Sequence, residues 1–196
     1  MEKINFIKTF IPQGDFREKY EHGGMMVRHL AAVLDEKMGA YECYECTVPI
    51  GEYDEGEIQK AFIEFTAKMD ALKLKQAKVE KIAEITAYDT SDKVNGFVLN
   101  GLLVWLDKAT RVGLMNSTTI AKAAGQQTTT LWLGDVKLEA DCDKAIQLLS
   151  ALEMYALECF NVTAAHKAAV TDLKTIKEVE AFDVTADYPK QLEMKL

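Results

Sequence analysis

The sequence predicts an α+β fold in which a small β-rich unit, a long helix and a second α+β unit follow one another. Three observations carry that reading. Tyr41-Glu42-Cys43-Tyr44-Glu45-Cys46-Thr47-Val48 mixes aromatic, β-branched and charged residues in a strand-like run. From Ile58 to Val79, apolar residues recur at alternating spacings of four and three, the signature of a helical seam. Asn100-Gly101 lies between two apolar stretches and is a strong hairpin signal, because both residues tolerate positive φ.

Residues 1–50 form the predicted β-rich unit. Met25 to Leu30 is a partner strand for the run at 41–48, with Gly23-Gly24 before it and Gly39 after it as turn signals. Ala31 to Met38 fits a strand or a short helix equally well.

Residues 51–87 are read as a long helical connector. Asp54 is the expected cap of a helix over 54–86, and Glu57, three positions on, completes something close to a capping box. The seam comprises Ile58, Phe62, Phe65, Met69, Leu72 and Val79, and Gln76 interrupts it. At 1.5 Å per residue the helix would be roughly 45–50 Å long, more than a small domain needs to cover its core.

Residues 88–190 make the carboxy-terminal unit, beyond the polar cluster Tyr88 to Asp92. Phe97 to Trp105 reads as a hairpin. Asp107 is the cap of the next helix, and Gly125 is its left-handed close. Thr128 to Leu133 suits a third strand, which Gly134-Asp135 turns towards Val136-Lys137-Leu138. A second long helix is expected from about Ala140 to Leu173, with Leu149, Leu152, Ala156, Cys159, Thr163, His166, Val170 and Leu173 on one stripe. Thr175 to Glu178 forms a capping box that starts a short last helix, and the polar tail from Ala186 is expected to be loose. A tight first hairpin implies an antiparallel sheet.

The 196 residues carry a net charge of −8. The densest basic run, Lys73, Lys75, Lys78 and Lys81, includes Glu80 and has acidic flanks, so no nucleic-acid partner is expected. No apolar run approaches the roughly 20 residues of a membrane span, so no membrane partner is expected either. Met1-Glu2-Lys3-Ile4-Asn5-Phe6 lacks a long apolar signal region, which implies a reducing compartment and four free thiols.

Cys43 and Cys46 form a CxxC pair that, with His22 and His29, has the ligand types of a zinc site. In a strand, however, positions 43 and 46 point to opposite faces, so ordinary thiols and no metal are expected. His166 reads as a packed histidine with one hydrogen bond. Trp105 and Trp132 read as core anchors, and Asp141 and Asp143 as complements to a helix dipole. No GxSxG, HExxH or P-loop sequence occurs, so neither a catalytic residue nor a cofactor is assigned. The seam is the candidate site. Ile58, Phe62, Phe65, Met69 and Leu72 either pack within their own chain or meet a partner, with a helix of a second copy favoured and the helix from Ala140 as the competitor.

Asn100-Gly101, Trp105-Leu106-Asp107-Lys108-Ala109-Thr110-Arg111 and Thr128-Thr129-Thr130-Leu131-Trp132 carry a resemblance. Over about residues 87–190 the chain is similar to an uncharacterised domain-of-unknown-function family from phages and prophages of Bacteroidetes. It distantly resembles the carboxy-terminal part of tail-fibre assembly proteins. The resemblance implies a non-enzymatic role in building the tail, as an assembly factor or minor virion component contacting fibre or baseplate. Its partners would be phage structural proteins or a second copy, in the host bacterial cytoplasm or the virion. The alternative class is a small acidic regulatory or host-interfering binding protein.

Overall fold

A computed structural model describes residues 4–11, 16–19, 24–35, 37 and 40–195. The fold is mixed α+β, and the chain forms two compact units, Met1–Lys73 and Leu74–Leu196.

The first unit holds a four-stranded antiparallel sheet of β1 (Ile7–Ile11), β2 (Phe16–Lys19), β3 (Gly24–Asp35) and β4 (Ala40–Pro49), in the order β1-β4-β3-β2. The stretch from Ala31 to Asp35, readable as strand or helix, is strand. Its pairing with β4 shifts register between Leu30 and Ala32 and again between Val33 and Asp35. Those shifts break the period-two pattern that identifies a strand from sequence. Tyr44, Cys46 and Val48 alternate along β4 into a core completed by Phe6, Val27 and Ile58.

Helix α1 (Glu55–Asp89) closes that core with its first turns. The expected cap forms reciprocally. The Glu57 N–H donates to Asp54 Oδ1 at 2.8 Å, and the Asp54 N–H donates to Glu57 Oε2 at 2.9 Å. Ile58 is fully buried and Phe62 and Phe65 are half-buried, with the Phe65 ring 4.9 Å from Tyr44 and 5.4 Å from Phe6. These three seam residues therefore meet a sheet of their own chain, where the heptad spacing had suggested a second helix. A flat sheet face accepts the same i, i+4, i+7 stripe that a partner helix does. Met69 is half-buried, whereas Leu72, Gln76 and Val79 are exposed.

The second unit begins with the rest of α1, where Ile82, Ile85 and Tyr88 pack with Val170, Leu173, Phe182 and Val184. One member of the lysine run has a defined task here. The Lys78 ammonium donates to the Thr171 carbonyl, at the dipole-negative end of a long helix. The hairpin forms as expected from β5 (Phe97–Leu99) and β6 (Leu102–Val104), with Asn100 at φ 50° and Gly101 at φ 84°. After it come α2 (Lys108–Ala123), the hairpin β7 (Thr128–Leu133) and β8 (Val136–Asp141), α3 (Cys142–Asp172), α4 (Ile176–Glu180) and β9 (Glu193–Met194). Asp107 caps α2, Gly125 follows it in the left-handed region, and Thr175 and Glu178 form the expected capping box.

Three expectations fail in this unit. The tail is not loose. β9 pairs parallel to β5, giving a three-stranded sheet in the order β6-β5-β9, so the sheet is not purely antiparallel. Tyr188, Leu192 and Met194 pack on the core, because alternate apolar residues in a polar segment suffice to anchor it. Trp132 is 58% exposed and is not a core anchor, since Leu131 and Leu133 take the two inward positions of β7. The core itself gathers Phe97, Leu99, Leu131, Leu133, Leu149 and Leu152 between the strands and α3. Among the described residues, no helix is long and apolar enough to cross a membrane.

Candidate functional site

The most organised surface feature of the second unit grows from the Asp107 cap. Its side chain accepts from the Thr110 N–H at 2.9 Å and from the Thr110 hydroxyl at 2.7 Å. These bonds, the backbone one foremost, hold the Asp107 carboxyl below its ordinary range. The cap starts α2 so that Arg111, one turn in, points back across the chain that enters the helix. Arg111 is buried. Its Nε donates to Glu153 Oε2 at 2.7 Å, its Nη1 donates to the Leu106 carbonyl at 2.7 Å, and its guanidinium carbon lies 5.2 Å from the Trp105 ring centroid. A desolvated guanidinium needs such compensation, and the planar fork supplies it with fixed direction. Trp105 is thus flanked by Arg111, which Glu153 of the facing helix holds in turn, and it is half-buried.

Beside this assembly runs a groove of about 450 Å³, walled by Trp105 and Arg111 on one side and by Ala156, Leu157 and Phe160 of α3 on the other. Its inner end carries Asp89 and Cys159. The Thr163 hydroxyl donates to Asp89 Oδ1 at 2.7 Å and is bonded to the Tyr188 hydroxyl at 2.7 Å. Burial pushes the Cys159 thiol and the Tyr155 and Tyr188 hydroxyls up, so all three stay protonated near neutrality. The protonated thiol and the hydrogen-bonded Asp89 carboxylate line this part of the groove.

The groove opens onto the outer face of α3. The helix buries Leu149, Leu152, Tyr155, Cys159, Thr163, His166 and Val170 on one side. On the opposite side, Met154 is 57% exposed, Leu157 49% and Phe160 67%, and Ala164, Ala165, Ala168 and Ala169 follow them, also exposed. Glu158 and Asn161 are the exposed polar residues within that stretch. A helix apolar on both sides ordinarily has both sides covered.

The residues singled out from sequence lie elsewhere or act differently. Ile58, Phe62 and Phe65 are taken up by the first unit's core, Met69 is half-buried, and Leu72 is 59% exposed. Cys43 and Cys46 are buried and not joined in a disulfide, and burial, with the nearby charge of Glu45, pushes the Cys46 thiol up to about 11. His22 and the His29 side chain lie outside the described residues, and among those described no cluster of three metal-ligating side chains occurs. His166 is packed, with its ring edge-on to Phe182 and Tyr188, but its Nδ1 has no hydrogen-bond partner where one bond had been expected. Sequence reasoning passed over the Trp105–Arg111–Glu153 assembly. The available signal was an aromatic residue two positions before a cap and an arginine one turn after it. It also passed over the outer stripe of α3, visible as Met154, Leu157 and Phe160 between the positions taken as core.

Residues 76–186 match the family described as a domain of unknown function (DUF4376). No curated protein and no solved structure matches the chain. The matched stretch runs from within α1 to just beyond α4, so it contains every residue that lines the groove and the whole outer face of α3.

Proposed function

The chain belongs to the DUF4376 family, and on that premise we propose that it works by protein–protein contact, as a phage tail-associated assembly factor or a minor virion component. The observation that carries the reading is the exposed apolar face of α3, with Leu157 and Phe160 bordering a groove whose far wall is fixed by the Arg111–Glu153 pair. Exposed apolar patches beside rigid aromatic and arginine side chains are the usual make-up of a protein-binding surface. The phage setting is supported by the resemblance carried by Asn100-Gly101, the Trp105 to Arg111 stretch and Thr128 to Trp132.

Two experiments test it. Co-expression with a phage tail-fibre protein is expected to yield soluble fibre only when this chain is present. Mass spectrometry of purified particles then separates the two versions, since a virion component is retained and an assembly factor is not. Fibre solubility independent of the chain, together with its absence from particles, would overturn both versions.

A further inference from the structure

We propose that the outer face of α3 pairs antiparallel with the same face of a second copy of this chain. The inference rests on reading that face as a contact surface and deepens it by naming the occupant. The face is bulky in its first half, at Met154, Leu157 and Phe160, and small in its second, at Ala164, Ala165, Ala168 and Ala169. Laid parallel on itself, such a face sets bulk against bulk and leaves a gap between the alanines, which forfeits dispersion contacts. Laid antiparallel, each bulky half rests on the alanine half of the other copy. A two-fold interface requires a surface complementary to itself, and this one has that property about a point near Asn161.

Asn161, Glu153 and Lys167 agree with the same arrangement. Asn161 faces outward between the two halves, so the two copies of its amide, each both donor and acceptor, meet beside the axis and select the register. Glu153 and Lys167 lie on one edge of the face by the 3.6-residue period, fourteen positions apart and on either side of Asn161. Reversal therefore brings Glu153 of one copy towards Lys167 of the other, with Glu153 Oε1 still available beside the Oε2 that binds Arg111. The stretch from Met154 to Ala169 is only about 24 Å long at 1.5 Å per residue. An interface of that size is small for a stable dimer, so the expected association is weak, with a dissociation constant of roughly micromolar order.

The test is sedimentation of the full chain over about 1 to 200 µM, a range that brackets such an affinity. The mass is expected to rise from 21.9 kDa towards twice that value. Leu157→Lys and Ala168→Lys should each hold it at the monomer value, with the thermal midpoint kept, since both side chains are exposed. The double variant Leu157→Cys with Ala165→Cys should cross-link two copies on oxidation, far better than Leu157→Cys alone, since reversal about Asn161 sets the two positions opposite each other. They are eight residues apart on one helix, about 12 Å, so they cannot close within a chain. A monomer across the whole range, a dimer that survives both lysine substitutions, or equal cross-linking by Leu157→Cys alone would each overturn the proposal. A parent chain that stays monomeric across the range and still keeps the fibre soluble would overturn the pairing and leave the contact function standing. A dimer without effect on fibre or particle would do the reverse.

Discussion

The guanidinium of Arg111 lies over the Trp105 ring at 5.2 Å while its Nε donates to Glu153 on another helix at 2.7 Å. Arg111 is 7% exposed and Glu153 44%, so the arginine is the desolvated partner and the carboxylate shares its charge with water. Glu153→Ala should therefore leave a buried cation short of its counter-charge and lower stability by about 2 kcal/mol, below the full cost of breaking a fully buried pair. Arg111→Met, which removes the charge and keeps much of the stem, should cost less. Urea midpoints for the two variants check the order, and a larger loss for Arg111→Met would show that packing on Trp105 outweighs the charge.

Gly96 and Gly101 should respond to alanine for different reasons. A Cβ at Gly96 would collide with the Asp92 carbonyl oxygen and come within 2.9 Å of Leu103 Cδ1, so Gly96→Ala should cost about 2–3 kcal/mol. Nothing lies near a Cβ at Gly101, where only the positive φ is at issue, and Gly101→Ala should cost about 1 kcal/mol. Thermal denaturation of both variants gives the comparison.

Tyr188 belongs to the segment expected to be loose, yet its hydroxyl bonds to Thr163 and its ring lies 5.2 Å from Tyr88. Tyr188→Phe should cost about 1 kcal/mol, and Tyr188→Ala about 3 kcal/mol, because the ring is the larger part of the contact. Hydrogen exchange at Val98 and Asn100, whose N–H groups donate to the Leu192 and Met194 carbonyls, should quicken in the alanine variant. Unchanged exchange there would mean that β9 holds without Tyr188.

The pH dependence follows from the helix caps. Backbone donation from Lys174, followed by the side-chain and backbone bonds from Thr175, depresses the Glu178 carboxyl below its ordinary 4.5. A depressed folded-state value means stabilisation that is present above pH 4.5 and lost as the pH falls through the lower folded value. In Glu178→Gln, stability near neutrality should be reduced, and the decline on acidifying below pH 4.5 should be shallower than in the parent chain. Equal acid slopes would show that this cap is not coupled to folding.

The local elements were legible in the chain, because each follows from the chemistry of a few neighbouring residues. The Asp54–Glu57 and Thr175–Glu178 boxes, the Asn100-Gly101 turn, the Asp107 cap and the left-handed Gly125 all lie where short-range hydrogen bonding and steric rules place them. The α+β class followed, since hydrophobic period separated strand from helix everywhere but at Ala31 to Asp35, where register shifts blur it. Tertiary structure decided which surface each stripe meets. Ile58, Phe62 and Phe65 show a spacing that suits a helix or a sheet equally, and only the position of β4 resolved it. Pairing of β9 with β5 joins positions 95 residues apart, and the bond between Arg111 and Glu153 joins positions 42 apart, beyond any local signal. The candidate site was illegible for the same reason. Apolar residues on both sides of α3 look alike in sequence, and only the packed strands show which side is core and which faces out.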